Sequence, residues 1–552
     1  MEFSSTIRVA DLNDYIAPSQ DCVVALNGKL KVSETSEEVQ LQRRPRAGGP
    51  AAAPGTNAPP PPGDPVKVSL HDCLACSGCI TSAETVLLQQ QSGGLLLERL
   101  ADPGGPTVVV SVSAQSRAAL AAYYGLTPAA AMGRLVGWLK ALGVRAVWDL
   151  ATARDLVLVE EAAEALARLR RAQGPGGAQG GPGGAPGPQA DVDMASGEGA
   201  STSGRGAEAA AGAGGGGGPL PMMASSCPGW VCYAEKTHGA KVIPHMSPTR
   251  SPQGAMGALV KGPIASAWGL PGGASSLFHV SVMPCYDKKL EASRDELALP
   301  GPSGSPVPEV DCCLTTGEVL QLLQSHPAPG CKAEAGLADP ACPSAPPDPL
   351  LPGMAPDDRL YGMPYGSSSG GYADYVFRTA ARELYGVEVP PGPLPWRALR
   401  NSDFQELVLD PPSASGNGNG FGPSASSPSA PGLRFARVYG FRNIQTLLRQ
   451  VKTGRCGYQY VEVMACPAGC LNGGGQPKPG PGVSPAQLLE QLEAAYTHAD
   501  VAARQPSDNP AVAALYASCL GGRPGSEAAQ RLLHTTFRER EKTVTAAVVS
   551  NW

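Results

Sequence analysis

Cys227, Cys285, Cys466 and Cys470 come from three segments far apart in the chain: Ser226-Cys227-Pro228-Gly229-Trp230, Met283-Pro284-Cys285 and Met464-Ala465-Cys466-Pro467-Ala468-Gly469-Cys470. Each stands among small residues or prolines. Thiolates are soft ligands, and at this density they suit an iron–sulfur cluster better than a hard cation. Cys466 and Cys470 are followed by Leu471-Asn472-Gly473-Gly474-Gly475-Gln476. Consecutive glycines let backbone approach a bulky inorganic group and offer N–H donors to its sulfurs. Taken alone, C-x3-C reads equally well as a glycine-rich loop with two incidental thiols. A second group, Cys73-Leu74-Ala75-Cys76-Ser77-Gly78-Cys79, has the spacing that wraps three corners of a [4Fe–4S] cube. Ferredoxin spacing would put the next cysteine where the chain has Ala83. Cys22, the only cysteine upstream, is the best candidate for the fourth corner. Four thiolates also suit zinc, but zinc ribbons use two separated C-x2-C pairs, which this triplet is not.

The elements that must position these residues can be read from apolar runs. Thr107 to Val112 is a buried-strand run, and Val144 to Leu150 is a second strand. Helical patterns cover Ser116 to Tyr124 and Asp155 to Arg171. Another starts at Pro128, stripes Met132, Leu135, Val136, Leu139 and Leu142, and can stop at Gly143. This alternation predicts a parallel sheet. Phe278–Met283 and Tyr458–Met464 also read as strands, and each ends close to a cysteine. Open α/β sheets build their sites just past the C-terminal ends of parallel strands. Ser484-Pro485 opens a last clear helix carrying Leu488, Leu489, Leu492 and Tyr496.

The chain has 552 residues, enough for two or three domains. Glycine and proline are abundant, at 69 and 56 residues, but they concentrate in tracts at 42–65, 173–219, 300–308, 327–356 and 411–431. Such tracts cannot pack a core and are predicted to be flexible or disordered insertions. The expected layout is an N-terminal segment over 1–100 with the first cluster site, α/β lobes over 101–480 with the second, and a helical region with a C-terminal tail over 481–552. A net charge of −5 gives no basis for general nucleic-acid binding. No apolar stretch is long enough for a membrane span. The start, Met1-Glu2-Phe3-Ser4-Ser5, lacks the basic and apolar regions of a secretory signal, so a cytoplasmic location is expected, with the nucleus also open. Reducing conditions there favour ligand or core roles for the 15 cysteines over disulfides.

Three motifs in order resemble the signatures of iron-only hydrogenases: Ser225-Ser226-Cys227-Pro228-Gly229-Trp230, Met283-Pro284-Cys285-Tyr286-Asp287-Lys288-Lys289-Leu290-Glu291, and Met464 to Cys470. Leu532-Leu533-His534-Thr535-Thr536-Phe537 resembles the small-subunit motif of those enzymes. The chain is more similar still to the hydrogenase-like Nar family of cytosolic iron–sulfur assembly factors, also called nuclear prelamin A recognition factor-like. Lys67 to Cys79 and Asp11-Leu12-Asn13-Asp14-Tyr15-Ile16, ahead of a lone cysteine, carry that likeness. It covers most of the chain outside the Gly/Pro tracts.

The resemblance implies a two-lobed iron-only hydrogenase-like α/β fold with parallel sheets, an N-terminal ferredoxin-like cluster segment and a helical C-terminal region. It implies one [4Fe–4S] cluster on Cys22, Cys73, Cys76 and Cys79, and a second on Cys227, Cys285, Cys466 and Cys470. The implied role is cluster transfer from cytosolic P-loop scaffold proteins to the cytosolic iron–sulfur targeting complex. Trp552 is a candidate docking residue for that complex. The family pattern has an acidic residue before the terminal aromatic, where this chain has Asn551. Hydrogenases carry a second cysteine just before the first-motif cysteine, as a proton relay. Here that position is Ser226, and a hydroxyl has a pKa far above the roughly 8.5 of a thiol, so hydrogen turnover is not expected. Lys288 and Glu291 match hydrogenase second-motif residues and equally suit an ion-paired helix start. The remaining cysteines, 232, 312, 313, 331, 342, 456 and 519, are expected to be core or loop thiols. A diiron redox enzyme and a binding protein with structural clusters are the alternative readings.

Overall fold

The computed structural model describes residues 6–8, 67–69, 90–173, 217–301, 305–355, 357, 359–363, 365–409 and 432–540. The chain divides into two units, one of Met1–Val86 with Thr543–Trp552 and one of Leu87–Lys542. In the first, Thr6–Arg8 pairs antiparallel with Lys67–Ser69, placing Ile7 opposite Val68. Cys22, Cys73, Cys76, Cys79, Asn551 and Trp552 lie outside the described residues. So do the tracts at 42–65, 174–216 and 411–431.

Two sheets organise the second unit. The first runs in the order Ala146–Asp149, Thr107–Val112, Leu277–Met283, Cys312–Thr315, with every pair parallel. Val109, Val110, Val147 and Val280 are wholly buried in it, as expected of strands covered by helices on both faces. The helices between these strands are punctuated as their sequences predict. Ser113 caps Ala114–Tyr124 by accepting from Ser116 N, and Gly125 closes it in the left-handed region. Thr127 caps Pro128–Ala141, with Pro128 in its first turn. The helix expected from Asp155 begins earlier, at Ala151, because the Asp149 carboxylate accepts from Ala151 N at 2.8 Å.

The second sheet has the order Arg397–Ala398, Phe404–Leu409, Leu433–Tyr439, Tyr460–Met464, Met222–Ala224. Leu433–Tyr439, Tyr460–Met464 and Met222–Ala224 are mutually parallel, and the other pairs are antiparallel. Phe435 stacks on Tyr460 and meets Phe377 edge to face, with ring centroids 4.9 and 5.3 Å apart. One apolar core runs from these rings to Trp148 and Trp230. After the second sheet, a capping box at Ser484 and Gln487 opens the expected helix, Pro485–Tyr496. Pro510–Ser518 and Glu527–Leu533 complete the C-terminal region. Among the described residues no helix is long and apolar enough to cross a membrane.

Two tracts expected to be disordered are ordered where described. Ala298–Pro300 pairs antiparallel with Pro306–Pro308. Residues 337–345 pack on the helix Pro128–Ala141, and Asp348 reaches the edge strand Ala146–Asp149 of the first sheet. Asp348 exchanges hydrogen bonds with the Val147 backbone at 2.7 and 2.8 Å and pairs with Lys140, while Leu337 is fully buried. A few apolar and acidic anchors with specific partners outweigh the proline-rich composition of this stretch.

Candidate metal centre

Each sequence-predicted thiol of the second unit follows the C-terminal end of a parallel strand. Leu277–Met283 leads into Cys285, and Tyr460–Met464 leads into Cys466 and Cys470. Met222–Ala224 leads into Cys227, the residue before the helix Pro228–Tyr233. One thiol thus comes from the first sheet and three from the second. All four line a single cavity with about 730 Å³ of atom-free space. Met283, Pro284, Met464, Gly473, Lys288 and Tyr496 share its wall.

The loops are held from several directions. Ser225 Oγ accepts from Cys227 N at 3.0 Å and donates to Val463 O, tying the first motif to the neighbouring strand. Ala465 N–H donates to Cys227 Sγ at 3.4 Å. Cys470 N–H donates to Ser369 Oγ at 3.0 Å. The 466–470 turn uses left-handed backbone at Ala468 and Gly469, which carries the chain from one cysteine to the next in four residues. Gly475 N–H donates to Pro284 O at 2.9 Å, and a Cβ at Gly473 would stand 2.4 Å from that same oxygen. Only glycine permits this approach, which brings the third motif against the second.

Electrostatically the cavity does not ionise its own thiols. Burial pushes the Cys227 thiol up to about 12, with Asp287 and Cys470 adding to the effect. Burial holds Cys285 well above its usual range, and Asp287 and the other three thiols act in the same direction. Cys470 is also raised by burial, opposed by its contact with Ser369. Thiolates form in such a place only when a cationic group compensates them. Among the described residues no three His, Cys, Asp or Glu side chains come close enough to hold a single metal ion. Four thiols around one shared cavity instead fit a polynuclear group, with a backbone N–H already directed at one sulfur.

Lys288 lies in the cavity wall, donates to Ser251 at 2.9 Å and pairs with Glu291 at 2.6 Å. The ion-paired helix start and the cavity-facing cation are therefore the same residue. Ser226 Oγ lies 3.8 Å from Met464 Sδ. A second cavity, of about 430 Å³, shares Ser226, Cys227 and Pro228 with the first and is lined also by Thr535 and Phe537 of the small-subunit-like motif. Sequence reasoning missed Ser225 and Ser369 as supports. Ser369 belongs to Ser367-Ser368-Ser369-Gly370-Gly371, whose composition looks like the low-complexity tracts.

Comparison with known proteins agrees with the fold. Residues 106–177 and 187–474 match the family described as "Iron only hydrogenase large subunit, C-terminal domain". Residues 486–540 match "Iron hydrogenase small subunit". "Protein NAR1" of Arabidopsis thaliana is 39% identical over 555 residues, covering 100% of this chain and 99% of that one. "Cytosolic iron-sulfur assembly component 3" of Mus musculus is 39% identical, covering 98% and 97%. Among solved structures, a variant of the [FeFe]-hydrogenase HydA1 from Chlamydomonas reinhardtii superposes with a TM-score of 0.61 at 26% identity. That match covers 81% of this chain and 99% of the hydrogenase.

Proposed function

The chain belongs to the Nar family of cytosolic iron–sulfur assembly components, and we propose that it serves the assembly of cytosolic iron–sulfur proteins as a carrier built on a hydrogenase-like fold. Cys227, Cys285, Cys466 and Cys470 hold one [4Fe–4S] cluster. Cys22, Cys73, Cys76 and Cys79 hold the other. When bound, each cluster supplies one-electron redox capacity together with iron and sulfide. The observation that carries the reading is the convergence of four thiols from three segments on one cavity.

The two sites take different parts. The four thiols of the second unit are enclosed by two sheets, and Ala465 N–H and Lys288 offset negative charge on their sulfurs. This enclosure favours a permanent cluster. The first site, with its C-x2-C-x2-C spacing at Cys73, Cys76 and Cys79, is the exchangeable one. It accepts a cluster from P-loop scaffold proteins and passes it toward the targeting complex, with Trp552 as a docking residue. The chain works in the cytoplasm, with the nucleus as a second location. Its parts are the N-terminal segment over 1–100, the lobes over 101–480 and the C-terminal region over 481–552. Hydrogen turnover is not part of the role, because Ser226 stands where a relay must give up a proton near neutral pH.

The test is Cys73→Ala or Cys76→Ala in cells depleted of the native chain. Activity of cytosolic iron–sulfur enzymes should fall to the level of depletion. Full client activity in these variants would refute the carrier role of the first site.

A further inference from the structure

Cys331 and Cys342 are eleven residues apart in the tract that packs on the helix Pro128–Ala141. The two side chains lie within interaction range of one another in the same apolar cluster, and Cys342 Sγ donates to Arg134 O at 3.9 Å. The backbone holds them in that position. Asp339 accepts from Lys332 N at 2.7 Å through one carboxylate oxygen and from Ala341 N at 2.9 Å through the other. The residue after one cysteine and the residue before its partner are thus clamped by a single side chain. Cys331 N also donates to Ala328 O at 2.9 Å, and Cys342 N donates to Asp339 O at 3.0 Å. Between them Leu337 is buried, and its carbonyl accepts from Arg134 Nη1 at 2.6 Å. The loop is therefore fixed at both cysteines and at its middle. Neither sulfur lines the cavity of the four candidate ligand thiols. Among the described residues they are not part of any group that could hold a metal ion.

We propose that Cys331 and Cys342 form a reversible redox pair that closes to a disulfide by exchange with a small-molecule disulfide such as oxidised glutathione. Cys331 is partly exposed and Cys342 is buried, so the exchange has an order. The Cys331 thiolate attacks the incoming S–S bond, forms a mixed disulfide and releases one glutathione thiolate. The Cys342 sulfur then attacks Cys331, forms the intramolecular bond and releases the second. The two protons from the cysteines end on the two glutathiones, and two electrons have passed from protein to glutathione disulfide. Burial, with Cys331 beside it, pushes the Cys342 thiol up to about 11. Cys342 therefore remains a thiol until the mixed disulfide is in place. The closed loop would lock the tract against the helix Pro128–Ala141 and protect both sulfurs from further oxidation.

The experiment uses the full chain purified anaerobically, incubated with oxidised glutathione, alkylated, and digested with trypsin and a glutamate-specific protease. Lys332 lies between the two cysteines and Glu318 separates them from Cys312 and Cys313, so the products are unambiguous. The expected result is a peptide ending at Lys332 joined to the peptide containing Cys342, lost on treatment with dithiothreitol. Cys331→Ser should remove it while leaving the thermal melt of the reduced protein unchanged. Asp339→Ala should lower its yield severalfold at equal glutathione. Recovery of both cysteines separately alkylated, or of Cys331 held as a stable glutathione adduct, would overturn the proposal.

Discussion

At the scale of single residues, the site is built from thiols that cannot ionise unaided and from positions where no side chain fits. Cys227, Cys285 and Cys470 are raised mainly by burial, so without a compensating cation these three thiols stay neutral. Gly473 is a tight point of the site, since an added Cβ would press on the Pro284 carbonyl, a backbone atom that cannot swing aside. Gly473→Ala is predicted to cost about 1–3 kcal/mol of stability by overpacking and to separate the second and third motifs. Thermal melts and iron retained after gel filtration check this, and a variant with native iron content and melting temperature would show that the approach is not required. The cysteines were legible because each motif is short and contiguous. Ser225, Ser369 and Asp339 were not, because a serine or aspartate that orients a backbone N–H has no pattern apart from the loop it orients.

At the scale of elements, three strands end where their cysteines are needed, and two buried polar groups hold a central strand and the C-terminal segment in place. His279, in the centre of Leu277–Met283, contacts Ser111 at 2.9 Å and the Glu309 carbonyl at 3.0 Å. Burial lowers its pKa from 6.5 to about 4, with a smaller effect of Lys261. The folded state thus takes up its proton later than the unfolded chain on acidification. The neutral histidine's contribution is fully present above pH 6.5 and is lost as pH falls toward 4. Between pH 7 and pH 5 the loss should be about 2 kcal/mol, read from urea unfolding and absent in His279→Gln. Glu235, fully buried, accepts from Arg294 at 2.7 Å, from Arg540 Nε at 3.2 Å and from Arg538 N at 3.1 Å. It fastens the segment after Glu527–Leu533 to the rest of the unit. Glu235→Ala should cost about 1–3 kcal/mol, since it leaves Arg294 with only Glu296 at 3.6 Å. Limited proteolysis should then cut first near Arg538, and an unchanged cleavage pattern would place the anchor elsewhere.

At the scale of the whole molecule, the strand–helix alternation from Thr107 onward was legible because its valine runs and caps are local signals. Of the parallel half of the second sheet only the strand before Cys466 was legible; Met222–Ala224 and Leu433–Tyr439 lie next to Gly/Pro tracts that hide them. Its antiparallel half was not legible, because Phe404–Leu409 pairs with Leu433–Tyr439 across a long Gly/Pro tract that hides the connection. The same composition concealed the ordered stretch at 327–355, whose anchors are single residues spaced widely apart. What the two sheets achieve together is the meeting of Cys285 from one with Cys227, Cys466 and Cys470 from the other.

The most direct test of that meeting is iron, zinc and acid-labile sulfide per chain in the full protein purified without oxygen. Two [4Fe–4S] clusters predict about eight iron and about eight sulfide. Zinc in place of iron would contradict the account, and iron exceeding sulfide by about two would point to an attached diiron group and a redox enzyme.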